Sequence, residues 1–345
     1  MTMIPAPGIT MRALLVRETG WPNAMQVADV PRPAVDAMDA DSVLVRVRAA
    51  GLNFADTLTI GGSYQEKQSL PFVPGAELCG DVVAVGTGVQ GLQSGDRVMG
   101  QVSAGAYAEW AMVHKDRLTR VPAAMPDAVA AGFYIPYGTA LCALRERGRI
   151  ESGETLLVLG AAGAVGLAAV QVGKALGARV IGISRSEAKR DAVMQAGADV
   201  FVAWSGGDLK DALEKAGAGS GVDVVLDMVG GDASQAAVRC LKFEGRLVIV
   251  GFTSGQPPAL RANHILVKNI DIVGCYWGPY QTLRPTQTRQ AFETLLGWYN
   301  EGRLRPQVAA SVPLEGVNHA LQILASGAFA GKVVAILPTQ QGAIA

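Results

Sequence analysis

Between Met11 and about Pro126, short runs rich in apolar and β-branched residues recur as MRALLV, SVLVRVRAAG, DVVAVGTG, DRVMGQV and AYAEWAMV. Glycine, proline or a Ser-Gly-Asp turn cuts off each run, which predicts an all-β unit, a barrel or a curled sheet. After Val129 the period changes. Apolar strands now alternate with alanine-rich segments at helical spacing, the pattern of a parallel sheet covered by helices. Strands are read at 155–160, 178–184, 200–203, 222–228, 245–251 and 270–276, with helices at about 164–176, 186–196, 207–216, 232–242 and 261–268. Six strands joined by crossovers match a doubly wound α/β dinucleotide fold. A helix near 286–302, a strand near 307–312, a helix near 314–326 and a closing strand KVVAIL are too few for a third domain. The tail is therefore expected to complete the first unit, dividing the chain into 1–128 with 272–345, and 129–271.

Composition narrows the function classes. The 345 residues leave room for two or three domains with ample core. Lys+Arg and Asp+Glu each number 30, so the formal charge is zero and nothing broad attracts nucleic acid or an anionic membrane. A small-molecule substrate is the expected partner. Cys79, Cys142, Cys240 and Cys275 lie far apart, without a Cys-x-x-Cys pair, and read as four buried or semi-buried thiols. His114, His264 and His319 have no spaced partner and read as surface or capping residues. The first ten residues lack a basic start and an apolar core, and no later run reaches 18 apolar residues, so a cytoplasmic protein is expected. The tail from Gln340 is expected to fray.

The segment TLLVLGAAGAVGLAAVQVGKALG sets Gly160, Gly163 and Gly166 between a buried strand and an alanine-rich helix. Such a turn lets the backbone approach a pyrophosphate at a helix N-terminus, with Ala161, Ala162 and Ala164 keeping the approach uncrowded and Val165 among the cofactor-binding positions. At the end of the second strand, GISRSEAKR, an Asp or Glu would hold the ribose hydroxyls of NAD and repel a 2′-phosphate. Ser184 stands there instead, followed by Arg185, Ser186, Lys189 and Arg190, donors that suit a phosphate. NADPH is the expected cofactor. Glu187 is the contrary charge, and fits the first turn of a helix.

The chain resembles the medium-chain dehydrogenase/reductase superfamily, in its zinc-free quinone reductase and enoyl reductase branch. The match runs through AAGLNFADT, PGAELCGDVVAVG, GDRVMG, YGTA, GAAGAVGLAAVQ, GFTSG and GCYWG, nearly end to end. The resemblance implies a GroES-like β-rich catalytic domain, interrupted by a Rossmann nucleotide-binding domain. It also implies a homodimer paired through the last strand of the nucleotide-binding domain, near IDIVGCY.

The same resemblance carries expectations for single residues. Zinc-dependent relatives have cysteine at the position of Asn53, histidine at Ala76 and a third ligand near Ala131, so no metal is expected here. Without a Lewis acid, the feasible chemistry is hydride addition to a quinone or an α,β-unsaturated carbonyl, an enone or an enoyl thioester. Tyr64, eleven residues after Asn53, is the candidate catalytic residue, either a proton donor or a lid over the substrate. Asn53 is expected beside the nicotinamide ribose or the substrate carbonyl. Thr139, Gly251, Phe252 and Thr253 match segments lining the nicotinamide, and Lys332 is expected to reach the cofactor. Trp204 replaces a tyrosine that stacks near adenosine, while Trp277 and Tyr280 bound a substrate pocket or pack an interface. The alternative reading is a weakly catalytic NADPH-binding protein with a structural or RNA-interacting role.

Overall fold

The longest strand of the N-terminal region, Ser42–Leu52, runs from valines alternating with polar and apolar residues into small residues, and buries all but Ser42, Arg46 and Arg48. Its eleven residues are long enough to pair with several neighbours at once. In the computed structural model, which describes residues 9–219 and 221–338, it is flanked by Lys332–Ile336 on one side and Glu77–Val85 on the other, both antiparallel. The first half of the strand also pairs with Trp110–His114. The sheet continues from Glu77–Val85 to Arg97–Gln101 and Leu118–Arg120, and from Lys332–Ile336 to Val308–Pro313, giving seven strands with Trp110–His114 off the main path. A separate hairpin pairs Thr10–Val16 with Met25–Pro31, and its second strand was not legible in the alternation of the sequence. The expected frayed tail from Gln340 lies outside the described residues.

The second unit holds six parallel strands in the order 200–203, 179–184, 155–159, 222–227, 241–249, 271–274. The order reverses direction beside the first strand, as in a doubly wound dinucleotide fold. Strands buried on both faces read as continuous apolar runs, and Thr155–Leu159 is buried at every position. Leu157, Ile181, Val225 and Leu247 interlock at its centre under the helices 209–215 and 231–240. The strand expected from 245 begins at Leu241 instead, directly after the helix Gly231–Cys240.

By contacts, the first unit comprises Met1–Tyr134, Val308–Ala328 and Lys332–Ala345, and the second Ile135–Gln307 with Phe329–Gly331. Residues 272–307 thus group with the second unit, not with the first as the sequence pattern predicts. The physical reason is a set of side-chain contacts. Gln171 Nε2 donates to the Arg305 carbonyl at 3.0 Å, and Arg305 N donates back to Gln171 Oε1 at 2.6 Å. Gln287 donates to Glu146 at 2.6 Å, and Phe292 packs against Trp277. Only after Gln307 does the chain re-enter the first sheet, at Val308.

Candidate functional site

In the first unit, register alone assembles a polar cluster. The central strand ends at Leu52, and its two antiparallel neighbours begin there, with Glu77 opposite Gly51 and Val333 opposite Leu52. Glu77, Lys332 and Asn53 therefore meet at one end of three adjacent strands. The Lys332 ammonium donates to Glu77 Oε2 at 2.6 Å and to Asn53 Oδ1 at 2.7 Å. The side chain of Lys332 is 4% exposed and that of Glu77 is 0% exposed. Removing such a pair from water costs several kcal/mol per ion before their attraction is counted, so the arrangement is not explained by stability alone.

Two glycines create the slot. A Cβ on Gly51 would lie 2.2 Å from the Ala131 carbonyl oxygen, 2.6 Å from Glu77 Oε2 and 2.8 Å from Lys332 Cε, and one on Gly132 would lie 2.5 Å from Lys332 Cγ. Below Asn53 sits a second buried acid. Asp56 accepts from the Asn53 backbone N–H at 2.8 Å and from the Tyr107 hydroxyl at 2.6 Å. Burial pushes its pKa up to about 6 in spite of these two hydrogen bonds, and holds the Tyr107 phenol well above its ordinary range.

Tyr64, half-buried, follows the helix Phe54–Ile60 on a mostly exposed loop, where the backbone amides of Ser63 and Tyr64 both donate to the Leu58 carbonyl, at 2.8 and 3.1 Å. The structure brings Asn53 together with Lys332, whereas Tyr64 is held by its own loop. Glu77 and the Asp56–Tyr107 pair are the members that sequence reasoning passed over. The available signal was an acid, Glu77, opening the apolar run ELCGDVVAV.

The second unit carries the glycine-rich turn. Gly160 takes φ +73, and a Cβ on Gly166 would lie 2.3 Å from the Gly160 carbonyl oxygen, so both positions require glycine. Gly163 precedes the helix Ala164–Ala175 with ordinary φ −73, and a Cβ there would meet only the Gly160 oxygen at 3.5 Å. The first N–H groups of that helix, on Ala164, Val165 and Gly166, have no intrahelical partner by construction. The carbonyl of Ala162 is engaged by the Gly331 amide at 2.9 Å.

At the end of the next strand, Ser184 accepts from Trp204 N through its carbonyl at 2.8 Å, and Ser186 caps the short 187–189 turn. Glu187 is ion-paired with Arg190, whose guanidinium also lies 4.9 Å over the Phe201 ring, so its negative charge is answered locally. Lys189 is buried, and loss of water lowers its pKa. Arg185 stands exposed beside it.

The loop after the fifth strand is shaped by a residue not singled out from sequence. Asp227, fully buried at the end of 222–227, accepts from Val229 N at 2.8 Å, Gly230 N at 3.0 Å and the Ser234 hydroxyl. That fixes the 228–230 turn, whose Met228 and Val229 carbonyls accept from Thr253 N at 3.0 Å and Ser254 N at 2.9 Å. Gly251, Phe252 and Thr253 are thereby held against the C-terminal end of the sheet, where doubly wound folds bind their ligands. Thr139 is buried on the helix Tyr134–Leu141. Next to it, Gly138 receives the Trp277 ring, and Trp277 stacks on Tyr280 with centroids 5.8 Å apart. The four cysteines are all buried, with Cys142 and Cys275 Sγ atoms 3.8 Å apart. His114 accepts from Asp116 N in a capping role.

Among the described residues no group of three or more His, Cys, Asp or Glu could hold a metal ion, and no helix is long and apolar enough to cross a membrane. At the position of Asn53 a cation is already present: the Lys332 ammonium, 2.7 Å away, would oppose a metal there, and an amide is a poor replacement for thiolate. The residues present do not fit a catalytic zinc.

Residues 39–123 match the model of the alcohol dehydrogenase GroES-like domain, and 164–297 that of the zinc-binding dehydrogenases. A quinone oxidoreductase-like protein 2 homolog from Nematostella vectensis is 37% identical over 94% of this chain and 88% of its own. The quinone oxidoreductase-like protein 2 of Bos taurus is 38% identical over 95% of this chain and 93% of its own. Among solved structures, the Escherichia coli quinone oxidoreductase complexed with NADPH has a TM-score of 0.87 at 30% identity, covering 94% of this chain and 99% of that one.

Proposed function

The chain belongs to the quinone oxidoreductase branch of the medium-chain dehydrogenase/reductase superfamily, and from that premise we propose that it is an NADPH-dependent, zinc-independent reductase of quinones or α,β-unsaturated carbonyls. The observation that carries the cofactor is the end of the strand Arg179–Ser184. A neutral serine occupies the position of the discriminating carboxylate, Arg185 and Lys189 follow, and Glu187, the first acid after the strand, is paired with Arg190. A 2′-phosphate would gain charge-assisted bonds there, while an NAD ribose would miss its usual acceptor.

Bound NADPH supplies a hydride, and the protein's work is to hold and orient. Gly160, Ala162, Gly163, Ala164, Val165 and Gly166 would carry the pyrophosphate on backbone amides. Ser184, Arg185, Ser186 and Lys189 would hold the 2′-phosphate, and Thr139 with Gly251, Phe252 and Thr253 would border the nicotinamide. Asn53 and Tyr64 face the substrate in this reading, the amide as hydrogen-bond donor and the phenol as donor or cover. It is expected to act in the cytoplasm as a homodimer joined along Asp271–Gly274, the outermost strand of the parallel sheet, which pairs on one side only among the described residues.

Anaerobic turnover of NADPH and NADH is measured with a benzoquinone and a short enoyl thioester, for the wild type and Arg185→Ala/Lys189→Ala. The proposal expects NADPH to be strongly preferred and the double variant to lose that preference through KM. Equal use of NADH by the wild type overturns the cofactor assignment, and no turnover with either acceptor overturns the reductase.

A further inference from the structure

The chain clears space for the ion pair Glu77–Lys332 with Gly51 and Gly132 and places it against the Asn53 side chain. An ammonium can only donate, so it determines which end of the Asn53 amide faces it: the oxygen. The Asn53 Nδ2 group is then left to the Gly51 carbonyl and to Glu77 Oε2. Its contacts are long, 3.2 Å to the neutral Gly51 carbonyl and 3.4 Å to Glu77 Oε2, against about 2.9–3.0 Å for an ordinary N–H···O bond. The oxygen side of the amide is tightly held and the nitrogen side loosely.

Resting on the reductase reading above, we propose that Glu77 and Lys332 are positioning residues that present the Asn53 N–H₂ group to the substrate oxygen on which negative charge develops. When hydride adds to the conjugated carbon, the π pair moves onto the carbonyl oxygen, and a proton from water or Tyr64 later completes the product. The Asn53 donor acts on that oxygen before the proton arrives. The ammonium polarises the amide through its oxygen, strengthening the N–H₂ as a donor. Glu77 keeps the lysine in place and balances its charge.

The test separates position from stability. Lys332→Met or Glu77→Gln alone leaves a buried charge without its partner, and each is expected to lower the melting temperature. Lys332→Met/Glu77→Gln removes both charges and is expected to melt close to the wild type. Its kcat should nevertheless fall by about 10²-fold, as should that of Asn53→Ala, with KM for NADPH changed by less than about twofold. A double variant that regains wild-type kcat shows the pair to be structural and overturns the proposal.

A second measurement does not depend on turnover. Binding of 4-nitrophenolate, an oxygen anion with a visible band, should weaken at least about tenfold in the double variant and in Asn53→Ala. Equal affinity in these variants, or no binding by the wild type, overturns the proposal even where the wild type proves inert and the reductase reading itself has failed.

Discussion

The hydroxyl of Tyr107 donates to Asp56 Oδ2 across 2.6 Å at a site closed to water. The carboxyl it meets is pushed up to about 6 by burial, against an ordinary 3.8, so the folded protein binds this proton more tightly than the unfolded chain. A raised folded pKa contributes stability that is full below about pH 4 and is lost as pH rises through 6. The difference is on the order of 3 kcal/mol. In Asp56→Asn the charge is absent at every pH and the hydrogen bonds can be kept. The stability gap between this variant and the wild type should therefore change between pH 7.5 and pH 5, as measured by urea unfolding. A gap independent of pH would show that Asp56 does not titrate there.

Glycine positions give opposite expectations. Gly51→Ala forces a methyl onto the Ala131 carbonyl at 2.2 Å and into the Lys332 slot, where no flexible end can yield, and should cost about 3 kcal/mol or more. Gly297 sits in the helix Pro285–Asn300, and a Cβ there meets nothing within 4 Å, so Gly297→Ala should stabilise by about 0.5–1 kcal/mol. Thermal unfolding of the two variants decides, and a neutral Gly51→Ala would mean that the slot is wider than described.

Within the phosphate turn, fold and ligand come apart. Gly166→Ala collides with the Gly160 oxygen and should destabilise the second unit. Gly163→Ala has room in the protein but projects where the pyrophosphate would approach the helix, so it should keep its melting temperature and lose about tenfold in NADPH affinity. Fluorescence titration of NADPH checks this, and unchanged affinity would move the phosphates away from this turn.

Pairing of two copies along Asp271–Gly274 makes a further expectation. Ile272 is exposed on that outermost strand, and a lysine there would set like charges against each other across the joint. Ile272→Lys should shift the species seen by analytical ultracentrifugation from dimer to monomer. A wild type that sediments as a monomer would refute the expected pairing outright.

Much of the second unit was legible because a doubly wound sheet is written locally. Runs such as TLLVLG and VDVVLDM are apolar throughout, since parallel strands are buried on both faces, and the glycine turn is contiguous in the chain. The strand Arg179–Ser184 ends within a residue of its reading, and the absence of an acid there needed no coordinates. The Met25–Pro31 strand was missed because MQVADVP exposes residues on both faces, so its alternation carries little signal.

The sequence by itself determined the two kinds of sheet, the glycine-rich turn between strand and helix, the neutral residue Ser184 at the end of the second strand, and Asn53 and Ala76 in place of a thiolate and an imidazole. These rest on residue types and short spacings, which a chain displays without folding. Only the tertiary structure decided that Lys332 spends its ammonium on Glu77 and Asn53, residues 255 and 279 positions away. It likewise assigned 272–307 to the second unit, through hydrogen bonds such as that between Gln171 and Arg305. Such contacts arise from strand register and side-chain geometry over long separations, and no local pattern encodes them.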